Sequence, residues 1–101
     1  MRVLVFFDLP TLTKADRRAY THFRNLLITS GFIMIQESVY SKLALNKTSA
    51  DSIKELIRKK KPKKGNIQML TITEKQYMGI EYVLGEYSSN VISSLDRYIE
   101  L

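Results

Sequence analysis

An α+β sandwich, with helices on one face of a small antiparallel sheet, is the fold class that this 101-residue sequence predicts. Three observations predict it. Strand-like and helix-like periodicities alternate along the chain in the order βαββαβ, the first strand is apolar on both faces, and no apolar run approaches the ~20 residues of a membrane span. The hydrophobic fraction of 45% is that of an ordinary globular protein, and a chain this short holds a single core. It contains no cysteine, which excludes disulfides, thiolate zinc sites and cysteine nucleophiles. The longest apolar stretch, Val3 to Phe7, is too short for a secretory signal and runs directly into Asp8, so a cytoplasmic protein without a membrane partner is expected.

Arg2 to Asp8 reads as the first strand, an unbroken β-branched and aromatic run ended by Leu9-Pro10. Thr13 then caps a helix, with Asp16 at capping-box spacing and favourable to the helix dipole. Its apolar stripe is Ala15, Ala19, Phe23, Leu26 and Leu27, and Gly31 supplies a left-handed stop. Phe32 to Ile35 and Ser38 to Leu45 follow as an antiparallel pair, with the bend near Gln36-Glu37. Thr48 with Asp51 marks a second cap, and Ala50, Ile53, Leu56 and Ile57 form the stripe of a second helix closed by Pro62 and Gly65. Asn66 to Thr73 is a fourth strand, Glu74 to Met78 a short helical turn, and Ile80 to Leu84 a fifth strand.

This order is the ferredoxin-like βαββαβ sandwich with an additional C-terminal strand, and it places both helices on one side of the sheet. The other side is not polar either. Val3, Val5 and Phe7 alternate with Leu4 and Phe6 on the first strand, and Met69 alternates with Leu70 and Ile72 on the fourth. So small a chain does not leave that much apolar surface wet, which predicts a two-fold homodimer packed sheet against sheet. Two variations remain open: residues beyond Leu84 fold back over the face, or the fifth strand pairs with the partner's sheet. The chain thus divides into a ferredoxin-like domain, 1–84, and a tail, 85–101. The tail carries Val91, Ile92, Leu95, Tyr98, Ile99 and Leu101, and is expected to dock on the partner subunit or on another protein.

The net charge of +6 is unevenly placed. Seven of the 16 Lys and Arg residues fall between Lys54 and Lys64, where Glu55 is the only acid. Arg58, Lys59, Lys60, Lys61, Lys63 and Lys64 cover the end of the second helix and the loop after it, while Lys14, Arg17, Arg18 and Arg24 lie on or near the first helix. Such fields attract phosphate polyanions by counterion release, although cations at a helix C-terminus also stabilise its dipole. The third strand lacks the glycine and aromatic signature of an RNA-recognition module, which favours backbone readout over base readout.

Groups for acid–base catalysis are scarce. The one histidine, His22, falls on the solvent side of its helix, and no Ser-His-Asp set or glycine-rich phosphate loop is present. Asp8 stands apart, because it ends an apolar strand on the face of Leu4 and Phe6. It either caps the turn at the strand's surfacing end or, brought together with its symmetry mate, forms an oxygen-ligand site for Mg²⁺.

The segments VLVFFDLP, FIMIQESVYSKL and KKGNIQMLTITEKQ resemble the CRISPR-associated protein 2 family, particularly members from type II systems, and the likeness runs from Met1 to about Leu84. The resemblance implies a ferredoxin-like dimer with Asp8 as the metal-binding aspartate at the subunit junction. It implies two activities: a metal-dependent endonuclease acting on RNA or duplex DNA, with Asp8 catalytic, or a non-catalytic bridge between dimers of the CRISPR-associated protein 1 integrase, holding double-stranded prespacer DNA during spacer acquisition. The residue inventory ranks the bridge first. A stand-alone toxin ribonuclease of the virulence-associated D type is the reading from another class, since that family looks similar in fold.

Overall fold

The computed structural model describes residues 1–85. Seven elements follow in chain order: β1 (Arg2–Asp8), α1 (Lys14–Thr29), β2 (Ile33–Gln36), β3 (Val39–Leu43), α2 (Lys47–Lys60), β4 (Asn66–Ile72) and α3 (Glu74–Met78). The four strands form one antiparallel sheet in the order β2-β3-β1-β4, the arrangement expected of the split βαβ order.

α1 begins at a complete capping box. The Thr13 hydroxyl accepts the Asp16 amide at 3.0 Å, and the Asp16 carboxylate accepts the Thr13 amide at 3.2 Å. It ends at Gly31, whose φ of +95° lets the chain turn so that the Phe32 amide reaches the Leu27 carbonyl at 3.0 Å. That turn drops Phe32 into the core.

Pleat alternation sends Val3, Val5 and Phe7 of β1 toward the helices, where they meet Phe23, Leu27, Ala50 and Ile57. Phe7 is the hub: its ring lies 5.2 Å from Phe23, 5.7 Å from Tyr40 and 6.0 Å from Tyr20. Each such pair adds ~0.5–1.5 kcal/mol beyond area burial, so the aromatic cluster fixes the end of β1 that leads into Asp8.

The opposite sheet face is only partly closed. Leu4 and Ser41, neighbours in the β1–β3 ladder, are buried there, whereas Leu43 and Leu70 remain 52% and 51% exposed. α3 approaches this face at one end, where the Arg2 guanidinium donates to Glu74 at 2.8 Å and lies 4.2 Å from the Tyr77 ring centroid.

Three sequence expectations are corrected. The cap of α2 is Asn46, whose side chain accepts the Ser49 amide at 2.9 Å; Thr48 lies inside the first turn, because Asn46 offers the same capping chemistry two residues earlier. β3 stops at Leu43 rather than Leu45: the Ala44 amide still donates to the Met1 carbonyl at 2.8 Å, in register with the β1–β3 pairing, and Leu45 lies exposed beyond it. Ile80 to Leu84 does not form a strand with any of the described residues, and among these Val83 and Leu84 are 86% and 95% exposed. Apart from Gly85, the tail 85–101 lies outside the described residues.

Candidate nucleic-acid interface

The basic residues of α1 and of the end of α2 are exposed, and the structure sorts them by what already holds them. Arg17 donates to the carbonyls of Thr11 and Leu12 at 3.2 and 3.0 Å, which secures the loop leading into α1. Arg58 pairs with Glu55 at 2.9 Å, Lys61 donates to the Arg58 carbonyl at 3.2 Å, and Lys64 reaches Asp16 at 3.6 Å. Among the described residues, no side-chain hydrogen bond or ion pair engages Lys14, Arg18, Lys59, Lys60 or Lys63. Their donors are uncommitted within the described residues.

The two basic groups, separate in the sequence, are neighbours in space. A concavity between α1 and the end of α2 is lined by Arg18 and His22 on one side and by Lys60, Lys61 and Pro62 on the other. The Lys64–Asp16 pair ties the loop after α2 to α1. The Thr13 backbone N–H donated to Asp16 holds its carboxyl below the ordinary value of 3.8; partial burial opposes this, and the nearby Lys64 adds to it. Asp16 therefore stays an anion and anchors the basic loop to α1.

Asp8 lies where the basic loop meets the end of β1. It ends β1, is exposed, and pairs with Asn66 in the β1–β4 ladder. A shallow concavity of about 200 Å³ gathers Asp8 with Phe6, Ser38, Asn66 and Gln68. The loop after α2 reaches this point through Gly65, which has φ +101° and packs against the Asp8 carbonyl and Leu9. Ser38, at φ +63°, turns its carbonyl to the Phe7 amide at 3.1 Å. The side-chain donors are thus oxygen-rich and hard, one carboxylate with two amide groups and a hydroxyl, a set compatible with Mg²⁺. Among the described residues no group of three or more His, Cys, Asp or Glu assembles to hold a metal, and no histidine lines this concavity. Asn66, Gln68 and Ser38 do not stand out in the sequence; aligning β4 antiparallel to β1 by its apolar residues is the signal that sets Asn66 opposite Asp8.

The family model for CRISPR associated protein Cas2 matches residues 1–80. The chain belongs to the Cas2 family. It is 50% identical, over the whole of both chains, to a protein of Treponema denticola named CRISPR-associated endoribonuclease Cas2. A protein of the same name from Streptococcus mutans is 44% identical, covering 100% of this chain and 93% of that one. The crystal structure of Streptococcus pyogenes Cas2 at pH 6.5 superposes with a TM-score of 0.62 at 26% identity, covering 84% of this chain and 100% of that chain. The α+β fold is therefore a Cas2 fold. Among the described residues, no helix is long and apolar enough to cross a membrane.

Proposed function

We propose that two copies of this chain form a nucleic-acid-binding bridge in CRISPR spacer acquisition, holding duplex prespacer DNA for the CRISPR-associated protein 1 integrase. One observation carries this reading: the uncommitted cations Lys14, Arg18, Lys59, Lys60 and Lys63 stand on adjoining exposed surfaces of α1, α2 and the following loop. The concavity at Asp8 offers far less chemistry, one carboxylate with no histidine or lysine in its described lining. Backbone phosphates need the former and not the latter. Two-fold symmetry suits a duplex whose two ends are treated alike, and the apolar tail 85–101 is the handle for the partner subunit or the integrase. Charge reversal at Arg18, Lys59, Lys60 and Lys63 tests it: duplex binding should weaken and its salt dependence flatten. An unchanged salt slope would move the interface elsewhere. Co-purification with the integrase, followed by an integration assay, tests the bridge itself.

The oxygen-lined concavity at Asp8 favours a second reading, a Mg²⁺-dependent endonuclease, and the relatives' name, endoribonuclease, points the same way. Asp8 would hold the ion, joined by the partner's copy and assisted by the Asn66 and Gln68 amides. A Mg²⁺ ion bound there supplies Lewis-acid stabilisation of a phosphodiester oxygen. If Asp8→Ala abolishes RNA or duplex cleavage yet leaves integration intact, cleavage is not the protein's task in acquisition. Loss of both assigns the carboxylate a role in the bridge.

A further inference from the structure

Two concavities on the cationic side of the molecule share Arg18 and His22, one helical turn apart on α1. The first, about 440 Å³, is completed by Lys14, Arg17, Thr21 and Asn25 of the same helix. The second, about 360 Å³, has Lys60, Lys61 and Pro62 as its far wall. Among the described residues, neither lining contains a carboxylate. The charged groups facing His22 are thus Lys14, Arg17 and Arg18 from α1 and Lys60 and Lys61 from the end of α2. Among the described residues, no side-chain hydrogen bond or ion pair engages Arg18, His22 or Lys60, while Lys61 donates to the Arg58 carbonyl and Arg17 to those of Thr11 and Leu12, so Arg18, His22 and Lys60 are the unengaged donors that converge here.

Imidazole is the side chain that acquires charge between pH 5 and 8. With only cations among the charged groups of the described lining, a protonated His22 adds repulsion to them. An anion seated in the cleft reverses that balance, because the imidazolium becomes one more donor to it. We propose that the cleft between α1 and the end of α2 binds a nucleic-acid phosphodiester through Arg18, Lys60 and Lys61, and that His22 is a proton-linked contact to it. The proposal rests on the nucleic-acid reading above and adds its regulation: backbone entry draws a proton onto His22, so the nucleic acid is held more tightly below pH 7 than above. A phosphodiester stays singly anionic across this range, which leaves the proton on the protein. Free phosphate monoesters titrate there themselves, with a pKa near ~6.

The test measures binding of a short blunt DNA duplex by fluorescence anisotropy, as a function of salt, at about pH 6 and about pH 8. Wild-type protein should bind about 2- to 5-fold more tightly per protomer at the lower pH, the range of a solvent-exposed ion pair. Its log–log salt slope should be steeper there by about 0.9 per protomer. His22→Gln should show one slope at both pH values, and His22→Lys the steeper slope at both. A purely structural histidine would move stability but not the salt slope. Binding whose pH response survives in His22→Gln overturns the role of His22 alone. Absence of duplex binding by the wild type at both pH values overturns the interface reading, and this one with it. Inorganic phosphate is the control arm: if it shifts the His22 ring resonances as far as the duplex does at matched ionic strength, the cleft is a site for free anions and the backbone assignment falls.

Discussion

A Cβ at position 65 would sit 2.8 Å from the Asp8 carbonyl oxygen and 2.6 Å from Leu9 Cδ2, on backbone with φ +101°. Both the close approach and the dihedral require glycine there, and the residues displaced by anything larger are the ones that position the candidate carboxylate. Gly65→Ala should therefore destabilise the protein by at least ~1 kcal/mol in urea unfolding, whereas Lys63→Ala, two residues away and exposed, should stay within ~0.5 kcal/mol. Asp16 offers a prediction in pH. Its folded value is depressed below 3.8, chiefly by the Thr13 amide, so its charged form stabilises the fold fully above the unfolded value. That contribution is lost as pH falls through the lower folded value. The stability difference between wild type and Asp16→Asn should thus be constant near neutrality and shrink below about pH 4. A difference that persists unchanged to pH 3 would show that the Asp16 charge contributes nothing. Thr13→Ala removes the hydroxyl of the same capping box and should cost ~1 kcal/mol.

Helix α1 and strands β1 and β4 are legible in the sequence because their signals are local: the Thr13–Asp16 spacing, the Gly31 stop and the apolar runs all act within a few residues of themselves. The α2 cap is harder to place for a related reason. Asn46, Thr48 and Ser49 stand together with similar capping chemistry, and periodicity does not rank caps two residues apart. Ile80 to Leu84 carries strand propensity, but propensity names no partner, and a strand exists only in a ladder. Likewise the sequence separates Arg18 from Lys60 by 42 positions, and only the packing of α1 beside the end of α2 reveals a common cleft. The Asp8 neighbours Asn66 and Gln68 depend on register in the same way. At the scale of α2 and its loop, the division between engaged and uncommitted cations becomes measurable. Among the described residues, Lys59, Lys60 and Lys63 have no partner, so replacing all three with Ala should lower the duplex-binding salt slope by up to about 0.9 for each phosphate no longer neutralised. Arg58→Ala removes a cation already paired with Glu55 and should change the slope less. Equal effects would mean that the internal pairs open on binding.

Only one side of the whole sheet carries helices α1 and α2, and this asymmetry sets the last prediction. On the far side Leu43 and Leu70 are half-exposed, and past β4 in the chain Met78, Val83 and Leu84 are more exposed still. Solitary exposed apolar residues are ordinary, but a sheet face bearing several, next to a segment with unused strand propensity, has the character of an association site. An isologous pair would bury Leu70 against its symmetric surroundings, and Asp8, on the same face by pleat alternation, would be carried toward the junction with it. Sedimentation equilibrium at micromolar concentration should therefore give twice the chain mass. Leu70→Asp places a carboxylate where the single chain leaves half the side chain in water, so the fold should survive by circular dichroism while the pair dissociates. The functional consequence is quantitative, since each protomer contributes its own set of phosphate contacts and separation should roughly halve the salt slope of duplex binding. A wild-type chain that sediments as a folded monomer, with a slope equal to that of Leu70→Asp, would show that one copy alone makes the interface.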